Sequence, residues 1–358
     1  MANNDRSRNI INKLNKALKK EIAFNLNEES PSNVKFWIPT GSRWLDSIIN
    51  KDQVAGIPSG KIVLLEGLPS TGKSYLAAQI AINASKMDMD VVYFDTESSL
   101  DTSFLENMGM NLNDIVYVQA ENIEMVLETI EQLLEMDDVP KLFIWDSLAM
   151  TPCKADQVGN FDPTSDMAKR PRILHKAMRK LEVPIAKKNS VFLILNQLYT
   201  NITSDMYAQR MEPYKSPGGQ GVKHASSLTL WLTTRKNKDS FVYDSSGNVI
   251  GTEVKVTIEK SRFGSYKRSC FFKILWSGEK ISIQDEESWI EVVKKHPMIT
   301  TGTWWTIKYD DGTEEKFRSK DWHEKMTDTK FKNRVLQIMD DVLLKGVVKQ
   351  SDDESEEE

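Results

Sequence analysis

The chain has 358 residues, of which 40% are hydrophobic and 28% are charged, and its net charge is -5. No apolar run approaches the roughly 18 residues of a membrane span, and the polar start lacks the apolar segment of a signal peptide, so we expect a cytoplasmic protein without a membrane partner. The two cysteines, Cys153 and Cys270, form no CxxC pair, which argues against a disulfide scaffold or a zinc ribbon.

Charge is distributed unevenly between the two ends of the chain. Ile10, Leu14 and Leu18 recur at helical spacing and predict an amphipathic helix over residues 7–20. The basic residues of this segment are Arg6, Arg8, Lys13, Lys16, Lys19 and Lys20. Residues 25–33 are typical of a linker, so residues 1–37 form an arm and linker in this interpretation. Residues 351–358, SDDESEEE, form an expected disordered acidic tail. Either charged end could also act only as a solubilising tail.

Short apolar runs alternate with helical stretches through the middle of the chain. The runs are KIVLLEG, DVVYFDTE, DIVYVQA, KLFIWDS, SVFLILNQ, SLTLWLTT, TEVKVTIEK and CFFKILW. Such runs predict an α/β fold with a mainly parallel, twisted sheet covered by helices, which hairpins extend where the later runs lie closer together. We place this core at residues 38–284. The Asp311-Gly312 pair predicts a hairpin within a small α/β lobe at residues 285–350.

One motif has a specific nucleotide chemistry. Residues 67–74 fit GxxxxGK[ST], follow an apolar strand and open a helical stretch, as a P-loop requires. Its backbone amides would surround the phosphates of ATP, while Lys73 reaches the β- and γ-phosphates and Ser74 binds Mg²⁺. The predicted nucleotide-binding residues here are Gly67, Leu68, Pro69, Ser70, Thr71, Gly72, Lys73, Ser74 and Tyr75.

Polar residues follow three further strand-like runs. Asp146 ends LFIWD and is the predicted second Mg²⁺ ligand, directly or through a water. Glu97 follows the run that ends at Asp95 and is the candidate general base for the attacking water, although a solvated strand end would look the same. Gln197 could sense the γ-phosphate, or it could be an ordinary strand-end amide.

These motifs together resemble one family. The segments PTGSRWLDSII, GIPSGKIVLLEGLPSTGKS, FDTESSLDTSF, FIWDSLA, AMRKLEVPIAKKNSVFLILNQ and SPGGQGVKHASS are similar, in order and spacing, to the core of RecA recombinases over residues 38–276. The TIEKSRFG segment, the WW…DDGTEE…RSKDW lobe and the acidic tail most resemble the T4-type phage branch of that family. The resemblance implies a RecA-like P-loop core whose amino-terminal arm mediates oligomerisation.

The resemblance also implies roles for individual residues. Glu97 matches the water-activating glutamate and Gln197 the γ-phosphate sensor of the family. Asp101 and Phe104 fall where the family contacts adenine, although ordinary helix packing would also explain them. Lys260 and Arg262 lie two apart at the end of TEVKVTIEK and resemble the paired cations that reach the γ-phosphate of the neighbouring protomer. A solvated sheet edge is the alternative for that pair.

Two long segments are candidates for DNA binding. Residues of about 154–170 and 198–222 match the family's DNA-binding loops by position, and segments this long without regular structure are usually functional or disordered. The second segment mixes aromatic, cationic and glycine residues, as single-strand binding requires. The predicted DNA-binding residues are Tyr199, Thr200, Arg210, Gly218, Gly219 and Gln220, together with Arg172 and Arg179, which a solvated basic helix would also explain.

The function implied is that of an ATP- and Mg²⁺-dependent recombinase. It would form helical filaments on single-stranded DNA, pair and exchange homologous strands with double-stranded DNA, and serve recombination, repair and recombination-dependent replication. A single-strand-binding protein and a loader are expected partners. The protein would be located in the host cytoplasm if a phage encodes it. A hexameric RecA-like helicase and a non-hydrolysing mediator paralogue remain as alternatives. Only about 38 residues precede the core, which disfavours the helicase.

Overall fold

A computed structural model describes residues 2–25, 33–98, 100–157, 169–202, 205–211, 213–234, 240–278 and 281–349. The predicted acidic tail 351–358, most of the predicted linker and residues 158–168 of the first predicted DNA-binding segment lie outside this part of the chain. No helix in the described residues is long and apolar enough to cross a membrane.

Most strands belong to one large sheet. The strands are β1 Trp37–Ile38, β2 Ile57–Pro58, β3 Ile62–Gly67, β4 Asp90–Asp95, β5 Ile115–Val118, β6 Lys141–Asp146, β7 Val191–Gln197, β8 Tyr199–Thr200, β9 Tyr214–Lys215, β10 Leu228–Thr234, β11 Phe241–Tyr243, β12 Val249–Ser261, β13 Ser269–Leu275, β14 Ser282–Gln284, β15 Ile299–Thr300, β16 Trp305–Lys308 and β17 Glu314–Phe317. Ten strands form the large sheet in the order β14-β13-β12-β10-β3-β7-β6-β4-β5, with β11 paired to β12.

The helices connect and cover these strands. They are α1 Ala2–Leu18, α2 Arg43–Ile49, α3 Lys73–Ser85, α4 Thr102–Asn107, α5 Ile123–Met136, α6 Lys169–Lys187, α7 Met206–Met211, α8 Gly219–Ala225, α9 Ile290–Val293, α10 Trp322–Lys325 and α11 Thr329–Leu343. All eight predicted strands are present, and the α/β prediction with a mainly parallel sheet is confirmed. Strands β10, β3, β7, β6, β4 and β5 pair in parallel, whereas β12, β13 and β14 extend the sheet by antiparallel pairing.

The sheet separates two apolar clusters, because alternate residues of a strand point to opposite faces. Val63 and Leu65 face one cluster, which also includes α2, α3 and the carboxyl-terminal helices. Ile62 and Leu64 face the other, which α5 and α6 cover. Parallel strands buried on both faces read as continuous apolar runs, which is why the sequence pattern identified them.

The carboxyl-terminal residues form a small three-stranded antiparallel sheet, β15-β16-β17, with α9, α10 and α11. The predicted hairpin is confirmed, since β16 pairs with β17 across the turn that contains Gly312. Its buried aromatic residues Phe317, Trp322 and Phe331 belong to the same apolar cluster as the sheet core. Arg43 of α2 also forms an ion pair with Asp340 of α11. This lobe is therefore packed against the core.

The amino-terminal arm differs in detail from the prediction. α1 spans Ala2–Leu18, so the helix starts and ends earlier than predicted. The segment Ile22 to Phe24 that follows α1 is not a strand; its backbone folds back on the helix, where the Asn15 side chain accepts from the amides of Ile22 and Ala23. This local side-chain bonding competes with strand pairing.

The second predicted DNA-binding segment is less irregular than expected. β8 pairs with β9, α7 lies between them, and α8 starts at Gly219. Gly218 precedes that helix with φ 91, and a Cβ there would lie 2.8 Å from Leu148. A left-handed backbone angle and this close approach both favour glycine.

Two buried carboxylates meet where α2 contacts the lobe. Burial raises the pKa of Asp46 to about 7, an effect that Thr40 hydrogen bonds oppose and Asp285 reinforces. Burial likewise raises the pKa of Asp285, which accepts from Ser42 and from the amide of Trp44.

Replacing Asp46 with asparagine should therefore stabilise the protein more at high pH than at low pH. A carboxyl group whose pKa is raised in the folded state stabilises the fold at low pH. This stabilisation is lost as the pH rises from the pKa of the unfolded state through that of the folded state. Between pH 5 and pH 8 the stability gain of Asp46→Asn over the wild type should grow by roughly 2–3 kcal/mol. Chemical unfolding at several pH values measures this difference.

The exposed Asp52 provides a matched control, since Asp52→Asn removes a carboxylate from the surface instead of from the buried pair. A gain from Asp46→Asn that is independent of pH would show that Asp46 titrates normally.

Candidate nucleotide site and nucleic-acid interface

The P-loop joins the end of β3 to the start of α3. Gly72 precedes the helix with φ 85, and a Cβ there would meet Ile274 at 2.5 Å, so glycine is required at this turn. The buried Lys73 amine donates to the carbonyl oxygens of Gly67, at 3.1 Å, and Leu68, at 2.8 Å. Burial lowers the pKa of Lys73, while Asp146 and Glu97 oppose that effect. The lysine is thus held inside the loop, where a phosphate would compete with these carbonyl oxygens for its hydrogen bonds.

Asp146 lies beside the P-loop at the end of β6. It is buried, and its carboxylate accepts from Tyr93 at 2.8 Å. Burial raises the pKa of Asp146, hydrogen bonds from Ser74 and Tyr93 oppose the shift, and the charges of Glu97 and Asp95 add to it. The structure therefore brings Ser74 and Asp146 together, as the predicted Mg²⁺ site requires.

Glu97 and Gln197 also meet at this edge of the sheet. The Gln197 amide donates to Glu97 Oε1 at 3.1 Å, and the same oxygen accepts from the hydroxyl of Ser147. Buried Asp95 accepts from the backbone amides of Glu97 and Leu100 and so shapes the turn that carries Glu97. The sequence reasoning did not assign roles to Ser147 or Asp95, although both are polar residues at strand ends of this edge.

The predicted adenine residues lie to one side of the P-loop. Asp101 is the N-cap of α4, where its carboxylate accepts from the amides of Ser103 and Phe104. The Phe104 ring packs edge-on against Tyr75 with centroids 5.2 Å apart. Both residues thus have structural partners within the chain.

A cavity of about 730 Å³ opens beside the P-loop. Pro69, Gly72 and Tyr75 line it together with Trp276, whose indole is 41% exposed. An exposed aromatic face beside a phosphate loop can stack on a planar base. The sequence reasoning missed Trp276. The available signal was its position as an aromatic residue directly after β13, which ends at this edge of the sheet.

Lys260 and Arg262 lie together at the opposite edge of the sheet. β12 is antiparallel to β10 and β10 is parallel to β3, so Ser261 pairs with Leu228, near the start of β3. The Lys260 amine donates to carbonyls of Lys223 and His224, and Arg262 donates to that of His224. In this chain they cap the end of α8, away from the chain's own P-loop.

The candidate DNA residues lie on two segments. Lys154–Gln157 form a short 3-10 turn, and α6 begins at Lys169 with Pro171 in its first turn, where proline is tolerated. Arg172 and Arg179 are exposed on the surface of α6 opposite its buried Leu174 and Met178. The structure thus places both arginines on one solvent-facing side.

Exposed side chains dominate the second segment. Tyr199 and Thr200 lie on β8, and Arg210 lies in the last turn of α7. Ile202, Met206 and Tyr207 are 91%, 82% and 74% exposed. Gly219 and Gln220 are exposed in the first turn of α8. A surface of cations and exposed apolar groups of this kind suits contact with bases and phosphates.

Comparison with known proteins identifies the family of the chain. The profile of the RecA N-terminal domain matches residues 7–282. The chain belongs to the RecA family. Protein RecA of Methylococcus capsulatus is 30% identical over 274 residues, covering 76% of this chain and 74% of that protein. Protein RecA of Caldanaerobacter subterraneus is 28% identical over 302 residues, covering 83% and 82%. Family membership supports a function in DNA recombination and repair and, in general terms, an ATPase that binds ATP with Mg²⁺ and acts on DNA.

Replacing Glu97 with glutamine should preserve ATP binding but slow hydrolysis by about 10²-fold or more, the usual scale for loss of a general base. Glutamine keeps the side-chain shape and an oxygen that accepts from Ser147 and Gln197. Binding of a fluorescent ATP analogue and phosphate release measure the two quantities separately.

The exposed Glu121, also at this edge of the sheet, serves as the control, because Glu121→Gln should leave both quantities unchanged. Loss of binding in Glu97→Gln would show that Glu97 has a structural role instead.

Proposed function

We propose that the protein is an ATP-dependent recombinase that forms helical filaments on single-stranded DNA and exchanges homologous strands with double-stranded DNA. The observation that carries this proposal is the contact between Gln197 and Glu97, because Gln197 ends the strand from which the second segment departs. A side chain that contacts the candidate base is therefore only two residues from Tyr199, a candidate DNA contact. Nucleotide and DNA would be sensed through one strand end.

ATP would bind at residues Gly67 to Tyr75, with its base toward the cavity that Trp276 lines. Mg²⁺ would be held by Ser74 and Asp146, whose hydroxyl and carboxylate are the hard oxygen ligands that this ion prefers. There it would neutralise charge on the β- and γ-phosphates. Lys73 would exchange its carbonyl partners for phosphate oxygens, and Glu97 would orient the attacking water once Ser147 and Gln197 release it.

Lys260 and Arg262 would act on the nucleotide of a neighbouring protomer. They lie at the edge of the sheet away from their own P-loop, so a contact with a γ-phosphate requires a second copy. A cation supplied in trans stabilises the transition state and makes hydrolysis depend on assembly.

Self-assembly would use the arm at residues 1–37. Ile10, Leu14 and Leu18 on α1 are 51%, 45% and 54% exposed, and a single amphipathic helix is marginal without a partner. β5, at the edge of the large sheet, exposes Val116 on the face of the sheet that the acidic helix α5 covers. The basic arm of one copy is complementary to this surface of the next.

The remaining regions have more specific proposed roles. The core is residues 38–284, with DNA-binding segments at about 154–170 and 198–222, followed by the lobe 285–350 and the acidic tail 351–358. Within the family, we propose kinship with the T4-type phage recombinase UvsX, which would place the protein in a host cytoplasm with a single-strand-binding protein and a loader.

The decisive test measures ATP hydrolysis by the full chain with and without oligo(dT), together with electron microscopy of the same mixtures. We expect DNA to stimulate hydrolysis and helical filaments to form with ATP. Closed rings with unwinding activity would identify a helicase, and binding of ATP without hydrolysis would identify a mediator.

Mixing two inactive variants tests the assignment of cations in trans. Lys73→Ala protomers lack their own site but keep Lys260 and Arg262, whereas Arg262→Ala protomers have the reverse defect. Mixed filaments should recover part of the DNA-stimulated hydrolysis that each variant alone has lost by about 10³-fold or more. Phosphate release from mixtures at several ratios gives the measurement.

The control is a mixture of Lys73→Ala with Lys73→Ala,Arg262→Ala, in which no interface is complete. Co-assembly of the first mixture without any gain in hydrolysis would refute the trans assignment.

Deleting residues 1–24 should weaken self-assembly while leaving ATP binding nearly unchanged, because the arm is remote from the P-loop. Val116→Asp, which places a charge on the exposed edge strand, should have the same effect. Sedimentation velocity with and without ATP measures the oligomers.

The control is Asn12→Ser, which changes an exposed polar residue of α1 and should assemble normally. Unchanged oligomers after the deletion would exclude the arm as an assembly element.

A further inference from the structure

A buried carboxylate that the proposed mechanism does not use lies directly behind the P-loop. Glu66 precedes Gly67 on β3 and is only 5% exposed. Ile62 and Leu64, on the same face of the strand, contact the apolar cluster under α5 and α6. A charge in such surroundings is costly unless hydrogen bonds satisfy it.

The hydrogen-bond partners of Glu66 come from the end of the second DNA-binding segment and from β7. Ser216 donates a short hydrogen bond to Glu66 Oε1, and Asn196, paired with Glu66 across β3 and β7, donates to the same oxygen at 3.3 Å. The Asn196 amide also donates to Ser216 Oγ at 2.9 Å and to the carbonyl of Pro217 at 3.0 Å. Among the described residues no ion pair involves Glu66.

The neighbouring residue on each strand belongs to the candidate nucleotide site. Gly67 follows Glu66 and opens the P-loop, while Gln197 follows Asn196 and donates to Glu97. The Leu198 amide then donates to the Gly67 carbonyl at 3.0 Å, which ties the two strand ends together. The two partners of Ser216 are therefore each next to a residue of the candidate site. Glu66 precedes Gly67 of the P-loop, and Asn196 precedes Gln197, which donates to the candidate base Glu97.

We propose that Glu66 is a positioning residue that ties the carboxyl-terminal end of the second DNA-binding segment to the P-loop strand. The coupling part of this inference rests on the proposed function. The Glu66–Ser216 hydrogen bond holds Ser216 to Gly218 in place, and binding of single-stranded DNA breaks it. The tether thus sets how much DNA is needed before hydrolysis is stimulated.

The tether itself can be tested without any activity. Lys215 is exposed and precedes Ser216, so trypsin cleavage after Lys215 reports on local opening of this segment. In the nucleotide-free full chain, Ser216→Ala should be cleaved roughly tenfold or more faster than the wild type, the scale for losing one hydrogen bond to a charged group. Glu66→Gln, which keeps an accepting oxygen but loses the charge, should show a smaller acceleration.

Thr229→Val is the matched control. Thr229 lines the cavity beside Glu66, but its hydroxyl contacts Ser226 and not the Glu66 cluster. Its cleavage rate should equal that of the wild type. Equal rates for Ser216→Ala and the wild type would overturn the tether, whatever the protein does with ATP.

A second measurement tests the coupling. With oligo(dT) as the probe, the concentration that half-maximally stimulates hydrolysis should fall at least about threefold in Ser216→Ala, while the rate at saturating DNA stays within about twofold of the wild type. A merely structural role would lower the saturating rate without lowering the half-maximal concentration. An unchanged or raised half-maximal concentration would overturn the coupling. A wild type without stimulation would instead refute the proposed function, and the cleavage comparison would still decide the tether.

Discussion

The candidate site depends on the register of four neighbouring parallel strands. β3, β7, β6 and β4 end at one edge of the sheet, where Gly67 pairs with Gln197 and Asp95 with Asp146. A shift of one residue in any pairing would turn these side chains to the opposite face. The apolar residues that bury both faces of the strands therefore also fix the distances among Lys73, Asp146 and Gln197.

The antiparallel extension of the sheet places functional side chains at the other edge. Because β12 runs against β10, its end carries Lys260 and Arg262 to the edge away from the P-loop. One protomer thus presents a nucleotide loop at one edge and a pair of cations at the other. Surfaces that differ in this way fit a head-to-tail arrangement, which generates an open helix when the rotation does not close.

The sequence predicted the features that local pattern determines. Apolar runs identified eight of the ten strands that the large sheet has in the described residues, the Asp311-Gly312 pair located the β16–β17 hairpin, and the P-loop motif fell at a strand-to-helix turn. It did not predict features that depend on contacts between distant residues. The fold-back of Ile22 onto Asn15 and the capping of α8 by Lys260 arise only in the folded chain. The buried pair Asp46 and Asp285 is also set by tertiary packing, since neither residue differs locally from a surface acid.

Strand alternation explains how one strand end can serve two purposes. Asn196 and Gln197 are consecutive, so their side chains point to opposite faces of the sheet. The first contacts Ser216 and Glu66 on the side of the second DNA-binding segment, and the second contacts Glu97 on the nucleotide side. Because Asn196 and Gln197 are adjacent and both pair with β3, a shift of the backbone at one of them also moves the other. A displacement of the segment that pulls on Asn196 must therefore change the position of Gln197 relative to Glu97.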